Sequence, residues 1–530
     1  MIAQTATESS RGTSTLPAVI AEHAVHRPDA IALVCGARET NYATLHRGSC
    51  QVAHALVAEG LKSGDRIGYL GRDSERFYEL LIGAANTSVV LVPINWRLTV
   101  SEISHILEDS GLRLLFVDAS CQSVAENAVR RLRCDIRLLR IDRDGTAGAG
   151  YAEWKAVQPD TPRDHPNSEL DPLLQMYTSG TTGPPKGVVI TQRSLFAVRN
   201  VRHESGLKWL EVPEDDVSLV VIPGFHIPGL AWVAQGLIDG ITTVILPEYT
   251  PGLALEAIRT RSITAIYAVP AMLALILLEP GVAEEDFGKL RLIAYGGSPI
   301  PEDMLMQCMA TFGCDFLQFY GTTETGTSIT FLPPEDHRVG NARLRSAGFP
   351  YPGAEIVVLD KAGNRLPPGD VGEVVVQGPA PMLEYWNRQE ATAATLIDGW
   401  VYTGDAGYLD EDGYLFICDR IKDMIIVAGE NVYPAEVENA IVSHPAVREA
   451  AVVGAPDERW GETVYAFIAL VRGQSVTPHE LTLFLRDKLA TFKRPQHFIF
   501  VDVLPRTASG KILRRKLREQ FWLGRKRAVN

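Results

Sequence analysis

Four short segments carry residue types that could do chemistry. The first, Tyr177-Thr-Ser-Gly-Thr-Thr-Gly-Pro-Pro-Lys-Gly187, follows an apolar run and precedes Val188-Val-Ile-Thr191, so it reads as a tight loop between two strands. Gly180 lets the backbone approach a ligand closely, Thr178, Ser179, Thr181 and Thr182 offer hydroxyls, and Lys186 adds a charge. Together they would make an anion nest suited to a polyphosphate. It is not a Walker A loop, since no Gly-Lys-Ser/Thr follows at the required spacing; the plain alternative is a polar surface loop. The second segment, Tyr320-Gly-Thr-Thr-Glu324, stands at the carboxyl end of an expected strand, where open α/β sheets bind ligands. Tyr320 could stack on a base, and Glu324 could hold Mg²⁺, which prefers carboxylate plus phosphate oxygens. The third, Tyr402-Thr-Gly-Asp405, offers a carboxylate to sugar hydroxyls, and in isolation is an ordinary Gly-Asp turn. The fourth, Pro505-Arg-Thr-Ala-Ser-Gly-Lys511, presents a lysine just ahead of a basic stretch, where composition alone favours solvated surface charge.

Positioning these segments takes a layered scaffold. Residues 65–70, 89–94 and 112–117 are strand-like, with helical patterns at 74–85 and 101–109 between them. The same alternation returns with strands expected at 216–223, 241–246, 263–269, 290–295 and 316–320, which implies an α/β fold of parallel sheets covered by helices. After about residue 348 short β-rich runs, 354–359 and 371–376, alternate with Pro/Gly turns and predict a small β subdomain. The residues from 420 onward mix strands and helices and end in a basic helix, which predicts a separate α+β lobe.

The bulk numbers limit the partners. With 530 residues, 46% hydrophobic and 22% charged, the chain is globular and too long for one ordinary core. A net charge of −13 argues against a protein that coats nucleic acid. Seven cysteines, odd in number and scattered, point to neither a zinc site nor a disulfide framework, so a reducing cytoplasm is the expected location. Residues 1–15 read as a disordered leader without an apolar signal core. The longest apolar run, 265–278, is broken by Pro270 and is too short to span a bilayer, so it reads as a strand followed by a helix. Stable membrane insertion is not expected, and the basic end reads as a solvated helix face. Any self-association is expected to give a homodimer.

In this order the four segments resemble the signature set of the adenylate-forming superfamily, which includes acyl-CoA synthetases, and the resemblance runs from about residue 16 to 520. It implies an N-terminal domain over 16–419, built of two helix-covered parallel-rich sheets and a small β-barrel subdomain at about 346–419. A hinge at 420–423 and a mobile C-terminal domain over 424–530 would follow. It further implies a two-step reaction. A carboxylic acid attacks the α-phosphorus of ATP to give acyl-AMP and pyrophosphate, and then the thiol of coenzyme A takes the acyl group and releases AMP. By the same resemblance Thr178 to Lys186 hold the β- and γ-phosphates, Glu324 binds Mg²⁺, and Thr323 contacts the α-phosphate. Gly296, Gly297, Ser298, Pro299 and Tyr320, with Gly321 and Thr322, flank the nucleotide, while Asp405 and Arg420 hold the ribose. Lys511 bridges the substrate carboxylate and the α-phosphate, and Lys422 is the hinge about which the small domain turns.

The acid is expected near Gly224-Phe-His-Ile-Pro-Gly229, with His226 at the pocket mouth, Phe225 and Gly229 beside it, and Phe319 and the residues from Thr325 to Thr327 on the far side. Gly224 replaces the bulkier apolar residue usual at that place. Gly429 is expected against the pantetheine channel, while Trp460, Phe492 and Arg494 match positions that clamp the nucleotide of coenzyme A in aryl-CoA ligases. Gln496 departs from the lysine found in some of them. Delivery to a carrier protein or an amine, and activation of an unusual acid such as nitrite, stand as alternatives.

Overall fold

The computed structural model describes residues 15–132, 135–141, 150–178, 184–207, 211–326, 328–506 and 512–522, with backbone alone at 198 and 201–205. Internal contacts divide the chain into two units. One comprises Met1–Leu344, Gly348–Glu355 and Val376–Val401; the other comprises Arg345–Ala347, Ile356–Val375 and Tyr402–Asn530. The β-rich stretch expected within the N-terminal domain is thus shared between them.

The first unit contains two sheets. In one, the strands Asp315–Tyr320, Leu292–Gly296, Ala265–Ala268, Val217–Val220, Thr242–Ile245 and Ile31–Cys35 lie side by side and parallel. Antiparallel strands extend both edges, Thr330–Leu332 and then Phe349–Pro350 on one side and Arg38–Asn41 on the other. In the second, Pro172–Thr178, Val90–Ile94, Arg66–Leu70, Leu114–Val117 and Arg137–Arg140 run parallel, and Lys186–Thr191 and Glu384–Tyr385 extend the edge antiparallel. All five residues of Val90–Ile94 and all four of Leu114–Val117 are buried, as continuous apolar runs in parallel sheets require.

Helices fill the faces. Leu16–His26, Tyr42–Ala58, Glu75–Ala85 and Ile227–Asp239 contribute to one apolar core with residues of both sheets. Local chemistry sets their ends. Thr99 and Glu102 form a reciprocal capping box at the start of Val100–Ser110, and Gly111 ends that helix at φ +67°. Pro270 opens the helix Pro270–Leu277 directly after the strand Ala265–Ala268, so the run expected as strand then helix is that. No described helix is long and apolar enough to cross a membrane.

The second unit is α+β. Its core gathers Ile425, Val437, Ile441, Val452, Ile468 and Leu481 around the long antiparallel pair Val447–Asp457 and Gly461–Leu470, to which His497–Phe500 adds in parallel. The closing helix Arg514–Trp522 is tied in by charge: the Arg514 guanidinium donates to Glu438 Oε1 at 2.8 Å and lies 3.6 Å from Asp419 Oδ1. Burial opposes that charge, but Glu438, Asp419 and Asp423 outweigh it and raise the Arg514 pKa. Deleting one partner of such a buried group costs about 3–5 kcal/mol.

A buried histidine sits beneath the first sheet's carboxyl edge. His337 Nδ1 lies 2.8 Å from the Pro333 carbonyl and Nε2 lies 3.0 Å from the Tyr295 hydroxyl, which also reaches Gln318 Oε1 at 3.1 Å. Nδ1 donates to the carbonyl, so in the neutral ring Nε2 accepts, and the single Tyr295 hydrogen is shared between Nε2 and Gln318 Oε1, serving one at a time. Burial pushes its pKa down to about 4, against the Pro333 bond and Asp336, which favour the cation. The stability that the neutral ring contributes is present above its ordinary pKa near 6.5 and lost as pH falls from there toward 4. Thermal unfolding should show the wild type losing more stability than His337→Gln between pH 7 and 5, with the variant lower by about 1–3 kcal/mol at pH 7; parallel pH profiles would refute the assignment.

Candidate functional site

The loop at 177–187 springs from an antiparallel pair in which Thr178 faces Lys186. Ser179, Gly180, Thr181 and Thr182 lie outside the described residues, as do Thr327, Lys511 and Cys134. At the described end, Lys186 Nζ stands 4.7 Å from the centre of the Tyr385 ring. Tyr385 belongs to the short strand Glu384–Tyr385, paired with Val188, and its hydroxyl donates to Glu324 Oε1 at 2.8 Å. One phenol therefore touches both a cation and the carboxylate singled out for metal binding.

The Glu324 turn is held rigidly. Thr325 Oγ1 accepts from the Thr322 N–H at 3.0 Å and donates to the Thr322 carbonyl at 2.8 Å, while the Glu324 carbonyl accepts from Met382 N–H at 2.9 Å. Gly326 has φ +72°, and a Cβ there would collide with the Ala380 carbonyl, so only glycine fits. No group of three or more His, Cys, Asp or Glu side chains suited to a metal occurs among the described residues. A lone carboxylate of this kind suits a hard cation whose remaining ligands are phosphate oxygens and water, which is how Mg²⁺ is usually bound.

Beside this turn, Gly296 ends its strand opposite Phe319, and a Cβ on it would lie 2.5 Å from the Phe319 carbonyl. Gly297, Pro299 and Gly321 are exposed at this edge, and Ser298, Tyr320, Thr322 and Thr323 are half-buried. The parallel register brings the two expected nucleotide segments, 296–299 and 320–324, together at the carboxyl ends of adjacent strands.

His226 precedes the helix Ile227–Asp239, its carbonyl accepting from Leu230 N–H at 3.1 Å and its ring edge-on to Phe225 at 4.7 Å. The preceding Gly224 donates its N–H to Asp73 Oδ2 at 2.8 Å. Burial pushes the Asp73 carboxyl up to about 7, opposed by that hydrogen bond and by Arg97. A Cβ at position 224 would lie 2.7 Å from the Phe77 ring, which explains why glycine stands there. Gly229 packs equally closely, 2.6 Å from the Pro223 carbonyl to where its Cβ would be.

Behind these residues lies a cavity of about 110 Å³ whose walls include Leu195, Ile227, Trp232, Tyr267, Phe319 and Thr322. Of the residues expected to shape the acyl pocket, Phe319 lines it. Phe225 and His226 abut the lining residue Ile227, whereas Thr325 is buried with its hydroxyl engaged by Thr322. Sequence reasoning passed over Trp232, Tyr267 and Tyr385. The first two sit within apolar runs that looked like core, and nothing local marks Tyr385.

In the second unit, Asp405 and Arg420 face each other across paired strands, 2.7 Å from Asp405 Oδ1 to Arg420 Nε, and Arg420 Nη1 donates to the Thr403 carbonyl at 3.0 Å. The Lys422 carbonyl accepts from Arg518 Nη1 at 3.3 Å. Gly429, at φ +90°, turns the hairpin whose Ala428 N–H donates to the Trp460 carbonyl at 2.8 Å. Trp460 is 42% exposed and Phe492 36%, with the Arg459 guanidinium 4.5 Å above the indole. Arg494 turns inward, donating from Nε to the Leu489 carbonyl at 2.8 Å and from Nη2 to the Arg486 carbonyl at 2.7 Å.

Comparison with known proteins decides the family. Residues 20–386 match the family model of the AMP-binding enzyme, and residues 436–511 match that of the AMP-binding enzyme C-terminal domain. The chain belongs to the adenylate-forming superfamily. This ligase is 50% identical to a fatty acid–[acyl-carrier-protein] ligase of Streptomyces coeruleorubidus, over 97% of its own length and 98% of the relative's. It is 37% identical to a feruloyl-CoA synthase of Amycolatopsis, over 93% and 96% of the two chains. Among solved structures, o-succinylbenzoate CoA synthetase from Bacillus subtilis in complex with its acyl-adenylate intermediate superposes with TM-score 0.82 at 33% identity, covering 94% of this chain and 97% of that one.

The site geometry makes Tyr385 a positioning residue for Glu324. Tyr385→Phe should raise the KM for Mg·ATP about 10-fold, the scale of one hydrogen bond to a charged group, and leave the KM for the acid in place. Equal rises in both constants, or a fall in Tm without either, would show a merely structural role.

Proposed function

We propose that the enzyme uses Mg·ATP to convert a small carboxylic acid into its acyl-adenylate and then passes the acyl group to the phosphopantetheine thiol of an acyl-carrier protein. The observation that carries the acceptor is the 50% identity, across 97% of the chain, to a fatty acid–[acyl-carrier-protein] ligase. Arg494 agrees with it: two arms of its guanidinium are spent on backbone carbonyls, which leaves little to grip the phosphates of coenzyme A. A second reading, transfer to coenzyme A, is favoured by the half-exposed Trp460 and Phe492 and by the feruloyl-CoA synthase at 37% identity.

In this reading a substrate carboxylate oxygen attacks the α-phosphorus of ATP, and the bond to the pyrophosphate oxygen breaks. The thiol sulfur then attacks the acyl carbon, and AMP departs with the electron pair of the carbon–oxygen bond. The chain's task in the first step is positioning and charge neutralisation. Lys186 and the loop that begins at Thr178 take the β- and γ-phosphates, and Thr323 takes the α-phosphate. Glu324, aimed by Tyr385, is the protein ligand for Mg²⁺, which when bound neutralises phosphate charge. Gly296 to Pro299, Tyr320 and the two residues after it flank the nucleotide, and Asp405 with Arg420 hold the ribose hydroxyls. Lys511 steadies the charge that builds between carboxylate and α-phosphate, and a turn about Lys422 exchanges it for the Gly429 hairpin before the thiol arrives.

Two measurements test this. Lys511→Ala should lower acid-dependent pyrophosphate exchange by at least ~10²-fold, as loss of one transition-state donor does, while thioester formation from supplied acyl-AMP continues; equal loss of both would undo the role given to Lys511. With ATP and a cognate acid, a holo carrier protein should accumulate acyl thioester faster than coenzyme A at equal concentration, and a preference for coenzyme A would establish the second reading.

A further inference from the structure

The turn beside the proposed acid site is held from outside as well as from within. Two contacts inside it set its shape: His226 N–H donates to the Pro223 carbonyl at 3.0 Å, and Gly229 packs so closely that a Cβ on it would lie 2.6 Å from that same carbonyl. A third contact comes from the other sheet. Asp73 stands three residues beyond the strand Arg66–Leu70, and its Oδ2 accepts from the Gly224 N–H at 2.8 Å, with both residues buried. This bond ties the carboxyl end of a strand in the second sheet to the segment that leaves Val217–Val220 in the first.

The space around the bond is full. A Cβ on Gly224 would stand 2.7 Å from the Phe77 ring, 3.0 Å from Asp73 Oδ1 and 3.1 Å from the Tyr78 hydroxyl. Asp73 and the helix Glu75–Ala85 thus take the room that a side chain on residue 224 would need, and the turn lies as close to them as bare backbone allows. A carboxylate is an unfavourable group to bury here. Burial opposes its charge, the Gly224 bond and Arg97 favour it, and the balance raises its pKa to about 7. An apolar side chain would avoid that desolvation but would leave the buried Gly224 N–H without this acceptor.

What the bond positions follows from the chain. Two residues after Gly224, the His226 carbonyl accepts from Leu230 N–H at 3.1 Å as the helix Ile227–Asp239 begins. Ile227, Pro228 and Ala231 of that helix line the cavity of about 110 Å³, whereas Asp73 does not. A shift of Gly224 would therefore carry His226 and these wall residues with it.

We propose that Asp73 is a positioning residue for the acid: through Gly224 N–H it fixes where His226 and the cavity wall stand, without touching the substrate. The inference rests on the adenylation reading with the acid beside His226.

The test is acid-dependent ATP–pyrophosphate exchange, which needs no acyl acceptor, with the best acid found for the wild type in a panel of chain lengths. Asp73→Ala should raise the KM for the acid about 10-fold or more, the scale of one hydrogen bond to a charged group, and leave the KM for Mg·ATP in place. Asp73→Asn, whose amide oxygen can accept from the same N–H, should bring the acid KM back toward the wild-type value. Asp73→Ser, polar but too short to reach Gly224, should behave as the alanine variant does and replaces it should that variant not fold. Equal rises in both constants, a fall in Tm with neither, or an asparagine variant as impaired as the alanine one overturns the inference and leaves adenylation standing. Wild-type exchange with no acid of the panel overturns the adenylation reading and the inference with it.

Discussion

A single phenol joins the two sheets of the first unit at the point where the chemistry is proposed. Tyr385 lies on an edge strand of one sheet, and its hydroxyl reaches Glu324, which follows the last parallel strand of the other. A strand of two residues cannot hold that placement by its own ladder. The residues after it do so: Trp386 donates its N–H to the Gly187 carbonyl at 2.7 Å and its indole N–H to the Asp109 carbonyl at 3.1 Å, and Arg66 covers its ring at 3.3 Å. Arg388 adds an ion pair to Asp109 at 2.8 Å. A slip of one residue would turn Tyr385 to the other face and free Glu324, so register at this edge matters more than its length suggests.

Beneath that surface the site rests on ionisable groups kept neutral or compensated by burial. His337 supports Tyr295 just before Gly296, and Asp73 anchors the backbone at Gly224 just before His226. Each sits one residue or two behind a segment that faces the proposed ligands. Each is shifted toward its uncharged form, His337 downward and Asp73 upward, because burial dominates both. A neutral support lets the protein place glycines at close backbone approaches without adding charge beside the proposed phosphate site.

The scaffold was legible in the sequence because parallel strands buried on both faces leave short apolar runs with polar punctuation. Segments expected at 89–94, 290–295 and 316–320 became Val90–Ile94, Leu292–Gly296 and Asp315–Tyr320. The loop at 177–187 stands out in the sequence for a different reason: glycine, hydroxyl and lysine compressed into eleven residues is a local signal, although residues 179–183 lie outside the described residues. Tyr385 does not, since its meaning lies in a contact to a residue 61 positions away. Trp232 and Tyr267 were hidden by composition: an aromatic ring with a polar tip inside an apolar run looks like core until the empty space beside it is known. Thr325 illustrates the converse, a residue placed in the pocket by resemblance whose hydroxyl the local turn consumes.

The second unit poses a constraint on any rearrangement at residues 420–423. Asp419 accepts from the Ala435 N–H at 2.8 Å, and its carboxyl, pushed up to about 6 by burial against the pull of Arg514, depends on that arginine to stay charged near neutrality. Arg514 also lies 3.9 Å from Asp423, and Arg518 reaches both Asp423 at 3.5 Å and the Lys422 carbonyl. The closing helix thus grips the segment on both sides of Lys422. A change of backbone angle there that held the helix in place would have to break the Arg518 bond to the Lys422 carbonyl, whereas one that moved Asp423 together with the helix would keep the Arg514 and Arg518 pairs to Asp423 but part Arg514 from Asp419. The second path leaves the buried Asp419 without its arginine, so the carboxyl, already raised toward the neutral form by burial, must take up a proton or find another cation for the helix and the residues after Lys422 to move as one body.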